Sequence, residues 1–222
     1  MRINIAIDGP SAAGKSTIAK KCAKMLGYSH LDTGAMYRCV AYKAKQVGID
    51  WEGESKLGEM IDSMKISFDS TGNVFIDDVN VSIEIRTNDM SMGASNVSKH
   101  PLVREKLVKM QQEIAKEKGY ILDGRDIGTV VLPDAELKIF MVASSVARAD
   151  RRIKEYIQKG IPFDRDEVIA DIEKRDYQDS HRAHSPLKKA DDAIEIDTSY
   201  LTIDEVVERV KNELNKLEVE YD

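Results

Sequence analysis

The sequence predicts an α/β protein, a parallel β-sheet flanked by helices, with a small antiparallel-sheet insert. Three observations predict it. Residues 3–7, Ile-Asn-Ile-Ala-Ile, are a short apolar run without a full polar face, as in a strand covered on both sides of a parallel sheet. Such runs alternate with stretches of helical periodicity, the order expected of βαβ units. Between residues 65 and 82 the period changes to alternation broken by turn residues, so an antiparallel sheet is inserted into that order.

The first run breaks at Gly9-Pro10. Helical spacing follows, with Ile18, Cys22, Met25 and Leu26 on one side and Gly27 as a C-cap. A second helix is expected over 34–46 and a third over 51–64. Residues 65–69 alternate, 70–73 carry turn chemistry, 74–76 resume strand character, and 79–82 supply a third strand of the insert. A long amphipathic helix is expected over 101–118, with Pro101 suited to its first turn. Strands are expected at 120–122 and 137–142, then two charge-rich helices over 145–159 and 166–179, separated by Gly160-Ile161-Pro162. Residues 193–196 supply the last strand, and Thr202-Ile203-Asp204-Glu205 is a capping-box pattern opening a final amphipathic helix.

A chain of 222 residues suffices for one well-filled domain, with room for a small insert. With 42% apolar and 32% charged residues it has the composition of a soluble enzyme. The net charge of -6 argues against a basic face for long nucleic acid, yet leaves room for arginines that hold a small anion. Cys22 and Cys39 lack CxxC spacing and fall in helix-like stretches, so two buried, reduced thiols are expected. The first eight residues are too short and too polar for a signal peptide, and no apolar run nears the ~20 residues of a membrane span. A cytoplasmic protein is expected, and a monomer.

Gly9-Pro10-Ser11-Ala12-Ala13-Gly14-Lys15-Ser16, followed by Thr17, fits the P-loop spacing between a buried strand and a helix. Glycines let successive N–H groups turn inward on an anion, and the following helix adds its positive end. Lys15 supplies a mobile charge for β- and γ-phosphates, and Ser16 a hydroxyl for Mg²⁺. A nucleoside triphosphate site is thereby predicted. The nearest string to a guanine-reading motif, Asn215-Lys216-Leu217-Glu218, follows no strand and reads as a solvated helix face.

Downstream the chain is rich in arginine. Asp32-Thr33-Gly34-Ala35-Met36-Tyr37-Arg38 puts a turn and a hydroxyl just before a helix bearing Arg38. Asp123-Gly124-Arg125-Asp126-Ile127-Gly128 closes a predicted strand, where ligands bind in open α/β sheets. A structural loop with an internal Arg125–Asp126 ion pair is the competing reading.

These strings, with Arg175-Asp176-Tyr177-Gln178-Asp179-Ser180-His181-Arg182 and Ser185-Pro186-Leu187, resemble the bacterial cytidylate kinases along essentially the whole chain. The resemblance implies a P-loop kinase core, an arginine-rich helical lid over 145–182, a monophosphate-binding region over 33–62 and 97–118, and an insert over 63–96. It implies phosphoryl transfer from ATP, with Mg²⁺ as cofactor, to CMP or dCMP, and no nucleic-acid or membrane partner. It places CMP phosphate on Arg38, Arg104 and Arg182, the sugar near Arg175 and Asp179, and Ser95 beside the base. Arg125 and Asp126 match cytosine chemically, since a carboxylate accepts from the N4 amine while a guanidinium donates to N3 or O2. Arg175 and Asp179 also have the spacing of an i,i+4 helix pair. Lys15, Arg148 and Arg152 would supply charge to the transition state, the last two also fitting a solvated helix face. Asp32 and Asp123 both stand as carboxylates that assist Mg²⁺. Rival readings are a P-loop kinase for UMP, AMP or a hydroxy acid, and a nucleotide-dependent switch protein.

Overall fold

The structure, a computed structural model, describes residues 2–69 and 71–217; Met1, Ser70 of the expected 70–73 turn, and Glu218 of the Asn-Lys string lie outside the described residues. The first apolar run forms β1 (Ile5–Asp8), whose four residues are all buried. Alternation along it decides the layers. Ile5 and Ile7 enter one core with Ile18, Cys22 and Leu26 of α1 (Lys15–Leu26), whereas Ala6 enters the other. Next come β2 (Ser29–Asp32), α2 (Thr33–Gln46) and α3 (Glu54–Ser63). Both cysteines are free and fully buried, one on α1 and one on α2, and burial pushes their thiols up to about 11 and about 12.

The insert is a three-stranded antiparallel sheet of β3 (Ile66–Phe68), β4 (Val74–Ile76) and β5 (Val79–Asn80). Asp77 and Asp78 join β4 to β5 with φ of 50° and 65°, the paired left-handed residues of a two-residue hairpin, and Ile76 faces Val79 across it. The expected third strand is shorter than 79–82. A 3₁₀ turn (Glu84–Arg86) then leads into α4 (Asn88–Val97), a helix absent from the sequence expectations and capped by the Thr87 hydroxyl on Met90 N. It returns the chain to the core against α2, where Gly93 leaves room for Trp51 and Ala41.

After α5 (Pro101–Ala115) comes β6 (Tyr120–Gly124), then a π turn (Ile127–Val131) and β7 (Leu137–Val142). The Asp8 carboxylate accepts Ile127 N at 2.8 Å and Gly128 N at 2.7 Å, tying that turn to the end of β1. α6 (Ser145–Lys159) and α7 (Arg165–His181) pack on each other through a small core of Ala149, Val168 and Ile172, separate from both main cores. β8 (Ile194–Asp197) and α8 (Ile203–Lys216) finish the chain, α8 opening on the capping box of Thr202 and Glu205. The main sheet is parallel throughout, in the order β2-β6-β1-β7-β8. The C-terminal ends of β1, β2 and β6 therefore open on one side, and the Gly9 loop, Thr33 and residues 125–126 emerge there together.

Candidate active site

At the end of β1, Gly9 takes φ 149° where a Cβ would lie 2.1 Å from Met141 O, so the backbone passes too close to β7 for any side chain. Ala12 at φ 57° and Gly14 at φ 93° complete a turn of left-handed residues. An alanine there costs about 1–2 kcal/mol. Gly14 caps α1 without a side chain, leaving the first-turn N–H groups of that helix for an acceptor from outside. Lys15 is buried beside them, its Nζ donating to Pro10 O at 2.7 Å. Burial, and then the Arg125 guanidinium, pull its pKa down to about 7, with Asp123 and Asp8 opposing. A buried cation among cations is a place built for a polyanion.

Ser16 donates its hydroxyl to Asp123 Oδ2 at 2.8 Å, and Asp123 Oδ1 meets His30 Nε2 at 2.5 Å. Asp32 is engaged differently. Its Oδ2 bridges Arg38 Nη2 at 2.9 Å and Arg86 Nη1 at 2.8 Å, while Oδ1 caps α2 on Ala35 N. Burial would raise its pKa, but the two guanidiniums and the cap hold the carboxyl well below the usual range. Of the two carboxylates left open by the sequence, Asp123 is the one beside Ser16. A hydroxyl with an adjacent carboxylate suits Mg²⁺, which prefers hard oxygen donors and arrives with phosphate. No cluster of three metal-binding side chains exists among the described residues.

The cleft between these loops and helices α6 and α7 has a volume of about 520 Å³. Its cationic side chains fall into two groups. Arg175 is pulled down to about 10 by burial and then by Arg125, Arg38 and Arg152 around it, with Asp179 opposing. Its Nη1 reaches Ser11 Oγ at 3.3 Å, so this group faces the P-loop. The second group centres on Asp126, which is buried in contact with Arg104 Nη2 and lies 3.7 Å from Arg182 Nη2. Arg104 Nη1 donates to Ser98 O and its guanidinium lies 5.4 Å from the centre of the Tyr37 ring. Arg182 Nη1 reaches Ser98 Oγ, and Ser95 Oγ donates to Gln178 nearby on α7.

The geometry decides against two rival readings of the sequence and regroups a third set of residues. Arg125 and Asp126 form no internal pair, because Arg125 Nε donates to Asp179 Oδ2 at 2.7 Å while Asp126 turns to Arg104. Arg175 and Asp179 are not an isolated helix pair, since Arg175 points at Ser11 and Asp179 holds Arg125. Arg104 and Arg182 sit with Asp126 rather than with Arg38. Buried guanidinium nitrogens on Arg38, Arg104, Arg152, Arg175 and Arg182 have no acceptor among the described residues. An unmet donor costs about 1–3 kcal/mol, so such nitrogens suit a ligand rich in acceptors.

The arginines of α6 also separate. Arg152 lines the cleft, whereas Arg148 is buried beneath it, bonding Ser11 O at 3.1 Å, Ala143 O at 3.0 Å and Asp176 at 2.6 Å. Arg148 therefore braces the P-loop, a geometry that does not present it to the cleft. Arg151, not singled out from sequence, lines the cleft and links Ala13 O to Thr198. Arg86, His30 and Ser98 were missed likewise; only the run of arginines hinted at the first. Thr33 lies in the cleft wall, its hydroxyl donating to Asp123 O at 2.8 Å.

A family model described as cytidylate kinase matches residues 5–216. A cytidylate kinase of Streptococcus thermophilus is 51% identical over 219 residues, covering 97% of each chain. One of Bacillus cereus is 51% identical over 212 residues, covering 94% of each. A shikimate kinase structure from Bacteroides thetaiotaomicron aligns with a TM-score of 0.51 at 14% identity, over 97% of this chain and 99% of that one, a likeness of fold alone. Among the described residues no helix is long and apolar enough to cross a membrane.

Proposed function

The chain belongs to the cytidylate kinase family, and on that premise we propose that it moves the γ-phosphoryl group of ATP onto CMP or dCMP, giving ADP and CDP or dCDP. One observation carries the reading. A P-loop and a buried Asp126–Arg104 pair face each other in the same cleft, with Lys15, Arg38, Arg125, Arg152 and Arg175 near the P-loop. ATP phosphates take the loop from Gly9 to Thr17, and the monophosphate meets the guanidiniums of Arg38, Arg125 and Arg175. A dianion approaches a polyanion only when such charges neutralise both. Ser16 and Asp123 would offer their oxygens to Mg²⁺ arriving with ATP, which would supply further neutralisation of phosphate charge.

Cytosine belongs at the other end. Asp126 accepts from its N4 amine, and Arg104 with Ser95 or Ser98 donates to N3 and O2. Asp179 feels Arg125, Arg175 and Arg182 alike, so it stands between the two ends, where a sugar joins phosphate to base. Its pKa is held low because those guanidiniums outweigh the effect of burial. Transfer then needs no covalent protein intermediate, only in-line geometry and positive charge around a loose transition state. Arg152 and Lys15 supply that charge. The lid helices, held to each other by their own small core, are suited to close over the cleft and exclude water.

A coupled ADP-release assay with CMP, dCMP, UMP and AMP as acceptors tests this directly. The expected result is acceptor-dependent ADP formation with CMP or dCMP at least about tenfold above UMP and AMP in kcat/KM. Preference for UMP or AMP, or ADP formation indifferent to any acceptor, overturns it.

A further inference from the structure

Asp123 is held at both oxygens. Oδ2 accepts the Ser16 hydroxyl, and Oδ1 is met at 2.5 Å by His30 Nε2, the two side chains being 5% and 10% exposed. An ionised carboxylate has only acceptors, so Nε2 carries the hydrogen and donates it. The contact follows from the sheet. β2 pairs with β6 so that His30 lies level with Ile121 and Asp32 with Asp123. Residues 30, 121 and 123 therefore point to one face, the face on which Ile121 packs with α1, the helix that carries Ser16.

A carboxylate bonded through one oxygen only can swing about its terminal torsion. With Oδ1 fixed, Oδ2 stays turned to Ser16. We propose that His30 is a positioning residue for the Ser16–Asp123 pair, fixing the carboxylate so that it and the hydroxyl meet the Mg²⁺ delivered with the triphosphate. The proposal deepens the function above and rests on its P-loop reading. Outer groups that orient a metal's carboxylate typically change metal affinity or activity by about 10–100-fold when removed. A ring that merely filled space at the sheet edge would change stability and leave the response to Mg²⁺ alone.

The test uses the full chain with ATP as probe, titrated calorimetrically with Mg²⁺ and again in EDTA, for wild type, His30→Gln and His30→Leu. Glutamine keeps an N–H donor at similar reach; leucine keeps bulk without one. His30→Leu is expected to shrink the Mg²⁺-dependent gain in ATP affinity, and to raise the half-saturating free Mg²⁺ in turnover, by about tenfold or more. ATP affinity in EDTA should stay within about twofold, and His30→Gln within about threefold of wild type on every measure. An unchanged Mg²⁺ gain in His30→Leu, or an equal loss in both variants, overturns the proposal. Should His30→Leu not fold, His30→Ala is judged against His30→Gln by the same criterion. A wild-type chain that binds ATP under neither condition overturns the P-loop reading as well.

Discussion

Changing Asp126 to asparagine separates recognition of the base from everything else in the cleft. The carboxylate lies buried in contact with Arg104 and 3.7 Å from Arg182. On the proposed reading it accepts from the N4 amine of cytosine; facing uracil it would meet the O4 acceptor, and a buried acceptor would be left unpaired. Asparagine can turn either its carbonyl or its amide nitrogen to the base, so both effects fade at once. An unpaired buried group is worth about 1–3 kcal/mol, which is about 5- to 150-fold in the ratio of kcat/KM for CMP over UMP. The substitution also leaves two buried guanidiniums without their anion, at about 3–5 kcal/mol for a broken buried pair. For a chain of this size that lowers Tm by about 6–20 °C. Thermal unfolding therefore comes first, and initial rates of ADP release with CMP and UMP are then read well below the lowered Tm. A folded variant whose CMP-to-UMP ratio matches wild type would refute base reading by Asp126 and the division of the cleft built on it.

Lys15→Met should cut kcat/KM by about 10²–10³-fold while circular dichroism stays native. The same variant tests its buried charge. The folded pKa of about 7 lies below the ordinary 10.5, so between those values the unfolded chain holds more protons and stability climbs with pH. Denaturant titrations across that window should show the climb in wild type and a flatter curve in the variant. Gly9→Ala forces a Cβ to 2.1 Å from Met141 O at a φ of 149°, and should cost about 2–5 kcal/mol in chemical unfolding along with ATP binding. Arg152→Ala should lower kcat with Tm within about 2 °C, because its guanidinium lines the cleft and its Nε has no acceptor to lose among the described residues. Arg148→Ala should lower Tm and weaken ATP, since Asp176 and two backbone carbonyls lose their donor. The reverse pattern for the two arginines would show that their places are exchanged.

The parallel sheet was legible because its central strand is covered on both sides and therefore apolar at nearly every position. β2 was not, since Ser29, His30 and Asp32 give it little apolar content; hydrogen bonding to β6 makes it a strand. α4 was hidden for a related reason. Asn88, Asp89, Ser91 and Gly93 read as loop chemistry, yet Gly93 is there for packing: a Cβ would lie 2.6 Å from the Trp51 ring and 2.8 Å from Ala41 Cβ. A glycine that breaks a helix and one that lets two helices approach look alike in a sequence. The hairpin of the insert was readable in outline, but the left-handed pair at Asp77 and Asp78, which closes it after two residues and shortens its last strand, is set by backbone twist.

The candidate site shows where local reading ends. The P-loop was readable because every group it needs is contiguous. The separation of the arginines into two groups was not, because Arg125 and Asp126 are neighbours in the chain and opposites in the fold. They follow directly on β6, which ends at Gly124, in a bend that leads into the π turn, Asp126 having φ -143° and ψ 26°. Arg125 goes to Asp179, 54 residues on, and Asp126 goes to Arg104, 22 residues back. Adjacency in sequence argued for a shared role, while distant partners gave the two side chains separate ones. The same geometry explains Arg148 and Arg152, which are four apart on α6: the helix brings both toward the P-loop, but Asp176 on α7 draws the first beneath the loop and leaves the second at the cleft. Residue type and spacing thus identified which side chains gather at this end of the sheet. What each one faces was settled by partners more than twenty residues away.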